Sequence, residues 1–514
     1  MNPGKTRVVI AGGGTAGWLT AYSLVKRLGS QLDITLVESD LTGTVGVGEA
    51  TIPTMKSFHS LMEIDEREFM SATQATFKLG IWFDNWANVG DSYIHSFGVI
   101  GQGSWMTEFH EYWLELHAQG LAGNLEDYCL EWKAAKQGKF ATQAGKTHVN
   151  YAYHLNATAY AQFLRGKSEA LGVQRVEGKI ATINLSSKSG SAQTGNIESL
   201  ELEGGAAVSG DFFIDCTGFR GLLIGEKLGV GYEDWGQWLG ADSAWAVQSE
   251  STQPPPPYTR AIAHPVGWQW RIPLQHRTGN GIVYSSRFCS DDEARSVLVK
   301  NLTGPAITEP RQLKFRTGRR LQPWHRNCVA LGLAAGFLEP LESTSIHLIT
   351  TAIIRLMRLF PFSGEFDSLA ERFNTESKFE WEEVRDFIIL HYKLTRRDDS
   401  PFWTNYRDME VPRNVTHRIE IFRKNGYVWP DKVNLFRIDS WLQVMLGQGV
   451  FPEGHHGATR IPGTASLQET LSLIRAKVAN NLAQMPDHQT FIENYCPILR
   501  PSPGETAAAQ GRSR

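Results

Sequence analysis

A glycine turn, Gly12-Gly13-Gly14-Thr15-Ala16-Gly17, separates an apolar run from an amphipathic one and leaves the start of this chain little choice of fold. Arg7-Val8-Val9-Ile10-Ala11 reads as a buried strand, residues 16–28 as a helix, and Asp33-Ile34-Thr35-Leu36-Val37-Glu38 as a second strand ending in an acid. In such a unit Gly12 permits the tight turn, Gly14 lets backbone approach a pyrophosphate, and Gly17 lets helix pack on strand. The phosphates then rest at the helix start, on Thr15 and Ala16, and Glu38 holds the adenosine ribose. The spacing therefore predicts an α/β fold with a Rossmann-like dinucleotide domain. FAD and NAD both satisfy it.

Two later segments look like further strands of that domain. Asp211-Phe212-Phe213-Ile214-Asp215-Cys216-Thr217-Gly218 and Cys328-Val329-Ala330-Leu331-Gly332-Leu333 are both apolar runs entering turns. Their separation implies a discontinuous domain with substrate-side β segments inserted, spanning 1–360. Residues 254–257 are four consecutive prolines, which lack amide donors and read as a loop. Beyond 360, Trp381, Val384, Ile388 and His391 fall at helical spacing, as do Trp441, Val444 and Met445, so 361–500 reads as a helical cap. Residues 501–514 are small and polar, and read as a disordered tail.

Composition excludes several classes. Lys and Arg number 51 against 54 Asp and Glu, giving a net charge of -3 and no basic stripe, so nucleic acid has no electrostatic footprint here. The five Cys are odd in number and lack CxxC spacing, which argues against a metal site or a disulfide framework and favours a reducing, cytoplasmic setting. No run approaches the roughly 20 apolar residues of a membrane span.

Trp268-Gln269-Trp270-Arg271-Ile272-Pro273 puts two Trp on one face of an extended strand. They wall a cavity or simply fill a core. Lys78, in Phe77-Lys78-Leu79-Gly80-Ile81, either snorkels to the surface or is held inside a site. Glu342, in Pro340-Leu341-Glu342-Ser343-Thr344, reads on its own as an ordinary acid in the first turn of a helix. His95 and Phe97 lie in His95-Ser96-Phe97-Gly98, where a lone His is by default structural and the Phe is able to stack on an aromatic ligand.

Together, the glycine turn, FKLGI, WxWxIP and PLEST runs resemble the flavin-dependent halogenases of the tryptophan-halogenase type, from about residue 6 to residue 500. The resemblance implies FAD, used reduced, with Ala50 in the glycine-rich loop 45–53 on the flavin side, Val176 against the adenine, and Leu333 and Ile346 lining the flavin. It makes Lys78 and Glu342 catalytic partners: the ammonium hydrogen-bonds hypohalous acid or carries its halogen, and the carboxylate polarises it or takes the proton leaving the ring. His95 and Phe97 would line an aromatic pocket. The helix start at Thr344 and Ser345 would hold halide. A separate flavin reductase and a small aromatic substrate are the implied partners, and a homodimer stays open.

Two departures bear on specificity. Many relatives carry Gly where this chain has Ser345, which bears on chloride against bromide. Tryptophan-binding members carry adjacent tyrosines where this chain has Trp441-Leu442, so indole or an indole derivative, met by Trp441, is expected over free tryptophan. The rival readings are an aromatic hydroxylase of the same fold, a halogenase specific for free tryptophan, and a flavin-binding protein without turnover.

Overall fold

The computed structural model describes residues 4–40, 48–187, 195–430 and 435–496. The tail 501–514 and residues 45–47 of the glycine-rich loop lie outside them. Five parallel strands form the nucleotide sheet, in the order Gln174–Glu177, Leu32–Glu38, Thr6–Ala11, Phe212–Asp215 and Cys328–Ala330, with Trp324–His325 antiparallel at one edge. Val8, Val9, Ile10 and Ala11 are all buried, as befits a central parallel strand covered on both faces. The chain leaves this sheet after Glu38, returns at Gln174, leaves again after Asp215 and returns at Trp324. The segments between build the substrate side.

That side is a seven-stranded sheet. Its order is Arg311–Lys314, Ser243–Glu250, Arg277–Tyr284, Gly267–Pro273, Thr259–His264, Gly80–Asp84 and Ser92–Ser96. The hexapeptide occupies the fourth of these strands. In register, Trp270 pairs with Ala261, Ala261 with Phe83, and Phe83 with Tyr93, while Thr259 pairs with Ile81 and Ile81 with His95. Because side chains alternate along a strand, Trp268 and Trp270 share a face with Phe83, Tyr93 and His95. Small Ala261 and Ala263 leave room on that face for Trp86, Trp268 and the helix Asp367–Lys393, whose buried side includes Val384, Phe387, Ile388 and His391.

The proline run 254–257 is a loop, and its last carbonyl accepts from Leu79 N. Most of the chain from Asp367 to Tyr495 is helical. Among the described residues all five Cys are free thiols, no group of three or more His, Cys, Asp or Glu is placed to hold a metal ion, and no helix is long and apolar enough to cross a membrane.

Candidate active site

The glycines of the first turn divide their work. Gly12 is left-handed, at φ 107°, and a Cβ there would strike the Cys216 carbonyl. A Cβ at Gly17 would strike the Gly12 carbonyl. Both therefore serve packing. A Cβ at Gly14, by contrast, meets nothing within 4 Å and would project into open space at the start of the helix Thr15–Leu28. That opening fits a pyrophosphate, with Thr15 and Ala16 opening the helix beside it. Glu38 ends the adjacent strand, where Arg175 Nε donates to it at 2.5 Å and Trp18 Nε1 at 3.3 Å. Val176 follows Arg175, paired in register with Val37. Leu333 lies 40 % exposed on a short turn, Ile346 is buried, and Ala50 begins a small sheet with Ala152–Leu155 and Thr76–Lys78. The cradle fits a dinucleotide.

Lys78 is fully buried, so it does not snorkel to the surface. Its motif explains how. Phe77 stacks on Phe140 with centroids 4.1 Å apart, anchoring one flank. Gly80 presses the other flank against the neighbouring strand, where a Cβ would come 2.5 Å from the His95 carbonyl oxygen. Held between, Nζ donates to the Ser343 hydroxyl at 2.8 Å and the Thr51 carbonyl at 3.1 Å, and lies 5.2 Å from the Phe97 ring centroid. Burial pushes the amine down to about 7, with the Glu342 carboxylate opposing that fall. Two of three ammonium protons are engaged, so one donor remains.

Glu342 is likewise fully buried, in the short 3-10 turn Pro340–Glu342. The helix through His347 and Leu348 starts only at Ser345, so Glu342 is not a first-turn helix acid. Ser343 between them is left-handed, at φ 59°. His95 Nδ1 lies 2.8 Å from Glu342 Oε2, and His391 Nε2 lies 2.7 Å from Oε1, off the direction of a well-formed hydrogen bond. Burial alone would raise this carboxyl, but the hydrogen bond from His95 and the close approach of both His95 and His391 more than offset it and hold it down at about 2. His391 Nδ1 in turn meets Tyr93 Oη at 2.7 Å. Its own basicity is lowered by burial, against the pull of Glu342.

The structure thus gathers Lys78, Glu342, His95 and Phe97 around Ser343. Thr344 is buried immediately before the helix Ser345–Arg358, and Ser345 opens it. Trp441 is 1 % exposed, with the Arg418 guanidinium 4.2 Å from its ring centroid and Phe387 edge-on at 5.0 Å. Phe387 bridges it to His95, whose ring lies 5.4 Å away, and stacks on Phe436 at 3.8 Å. Sequence reasoning missed Ser343, Phe436 and His391 as members of this site. The last left a signal: a His within an otherwise apolar helical stripe.

Comparison with known proteins bears on the whole chain. A family model described as tryptophan halogenase matches residues 7–463. The chain is similar in structure to Xcc4156, a flavin-dependent halogenase from Xanthomonas campestris, at 52% identity over 97% of this chain and 100% of that one, with TM-score 0.93. It is similar also to BrvH, a flavin-dependent halogenase from Brevundimonas sp. BAL3, at 44% identity over 96% and 100%, with TM-score 0.91. Tryptophan 6-halogenase SttH from Streptomyces toxytricini is 33% identical over 95% of this chain and 98% of its own length.

Proposed function

This chain belongs to the tryptophan halogenase family of flavin-dependent enzymes, and we propose that it halogenates an indole-type aromatic by aiming hypohalous acid from Lys78. The observation that carries this reading is the buried Lys78 ammonium, hydrogen-bonded to Ser343 beside Glu342 and facing Phe97. An aromatic hydroxylase would have no use for such a group.

Reduced FAD, taken from a separate reductase, supplies hypohalous acid from oxygen and halide when bound. The turn at Gly14 and the acid Glu38 hold the dinucleotide; Ala50, Val176, Leu333 and Ile346 line it. The third proton of Lys78 hydrogen-bonds the hypohalous oxygen and directs the halogen toward a ring lying against Phe97 and His95; as the ring carbon bonds the halogen, the oxygen–halogen bond breaks and the hydroxide leaves as water with the Lys78 proton. Glu342 stays ionised through its histidines and takes the proton that the attacked ring carbon releases, since a ring bearing both hydrogen and halogen at one carbon is strongly acidic. The backbone amides of Thr344 and Ser345, at the start of the helix, hold the halide.

The test is competition between free indole and free tryptophan, with reduced FAD, oxygen and bromide, and with products resolved by mass spectrometry. Indole is the expected winner, because the helix Ile438–Gly447 offers Trp441-Leu442 rather than phenolic hydroxyls for an amino-acid end. Preferential tryptophan halogenation would overturn the substrate assignment. Hydroxylated product without halogenated product would overturn the reaction.

Bromide is expected to serve at least as well as chloride. It is more easily oxidised and costs less to strip of water, so it depends less on well-placed amides. Ser345→Gly is expected to raise chloride use relative to bromide; unchanged ratios in that variant would remove Ser345 from halide selection.

A further inference from the structure

Three residues before Glu342, Glu339 is a second fully buried carboxylate, for which the reaction above has no use. Tyr392 Oη donates to its Oε1 at 2.6 Å. Its Oε2 has no formed hydrogen bond, and neither has the indole N–H of Trp268, the first Trp of the hexapeptide. Burial pushes Glu339 up to about 7, against the pull of Tyr392 and Trp268. A carboxylate so enclosed is costly unless its partners are held in place. Tyr392 is held, stacked on Tyr406 at 4.2 Å and packed against Trp86 at 5.2 Å.

Glu339 precedes the short turn and Glu342 ends it, and the two acids reach consecutive residues of one helix: Glu339 meets Tyr392, and Glu342 meets His391. Ser343 follows in the left-handed region, a conformation that a side-chain-bearing residue keeps only when its surroundings dictate it. We propose that Glu339 is a positioning residue: with Tyr392 it braces the turn Pro340–Glu342, keeping Ser343 left-handed, Glu342 on His391 and the Ser343 hydroxyl under Lys78.

The activity part of this inference rests on the halogenase reading; the brace itself does not. Three variants test both: Tyr392→Phe, which removes one oxygen, Glu339→Leu, which keeps bulk, and Glu339→Gln, which keeps the acceptor. Hydrogen–deuterium exchange of the peptide covering 336–348 is expected to quicken in the first two and to match the parent in the third. Halogenated indole per flavin reoxidised is expected to fall on the order of 10-fold in Tyr392→Phe and Glu339→Leu, as for a misplaced catalytic group. Flavin reoxidation itself stays at the parental rate, and Glu339→Gln regains the yield. Should Glu339→Leu fail to fold, Tyr392→Phe decides alone. Parental exchange in Tyr392→Phe, equal losses of halogenation and flavin reoxidation, or a Gln variant no better than Leu would each overturn the brace. A parent protein that makes no halogenated product would overturn the activity reading instead, and exchange alone would then decide the brace.

Discussion

Lys78→Ala is expected to yield no detectable halogenated indole while oxygen still reoxidises reduced flavin at the parental rate. The reason is location. Nζ lies against Ser343, Thr51 and Phe97, whereas the phosphate and ribose ends of the dinucleotide cradle are built by Gly14 and Glu38 on another sheet. Removing the amine deletes the donor that aims the electrophile without touching the cradle, so chemistry before that point survives. Because burial sets this amine at about 7, the ammonium is lost as pH rises through neutrality. If Lys78 acts as donor, parental halogenation falls above about pH 7 while flavin reoxidation does not follow it. Glu342, held at about 2, remains ionised throughout and contributes no acid limb in the usable range. Glu342→Gln keeps shape but loses the basic oxygen, and is expected to slow product formation about 100-fold, within the usual range for a general base. Full product yield from the Lys78→Ala protein, measured by mass spectrometry, would remove this residue from the mechanism.

Gly14→Val is expected to abolish FAD binding in a protein that still folds. The first and third glycines of the turn cannot make this separation, because a side chain at Gly12 or Gly17 collides with backbone before any ligand arrives. At Gly14 the backbone has φ -72°, which any residue adopts, and the Cβ direction is open. The valine methyls would therefore occupy the space in which a pyrophosphate must meet the helix start. Weakening of FAD by 100-fold or more corresponds to about 2.7 kcal/mol, a modest demand for a blocked phosphate contact. Fluorescence titration with FAD and a melting curve check the two halves. Parental affinity would show that the opening at Gly14 is not the phosphate site; loss of the melting transition would show that the valine disturbs the fold.

The βαβ start was legible in the residues because its causes are local. A run buried on both faces, glycines at fixed offsets and an acid at the next strand end all act within about 40 residues. The shared face of Trp268 and Trp270 was legible for the same reason, since alternation along a strand needs no knowledge of partners. The start of the helix near Glu342 was harder to place: the intervening turn is stabilised by Tyr392 and His391, some 50 residues away, and local propensity carries no trace of them.

Burial and charge state belong to the assembled protein alone. Whether Lys78 snorkels or is enclosed depends on Thr51 and on Ser343, which lies 265 positions along the chain. That Glu342 remains ionised in a dry interior depends on His95, 247 positions back, and on His391. Helical periodicity could report that His391 faces inward, but not that a carboxylate would be waiting there. Spacing specifies which way a side chain points; the field it meets is made by atoms that only folding brings near, and Coulomb and desolvation energies depend on distance through space rather than along the chain.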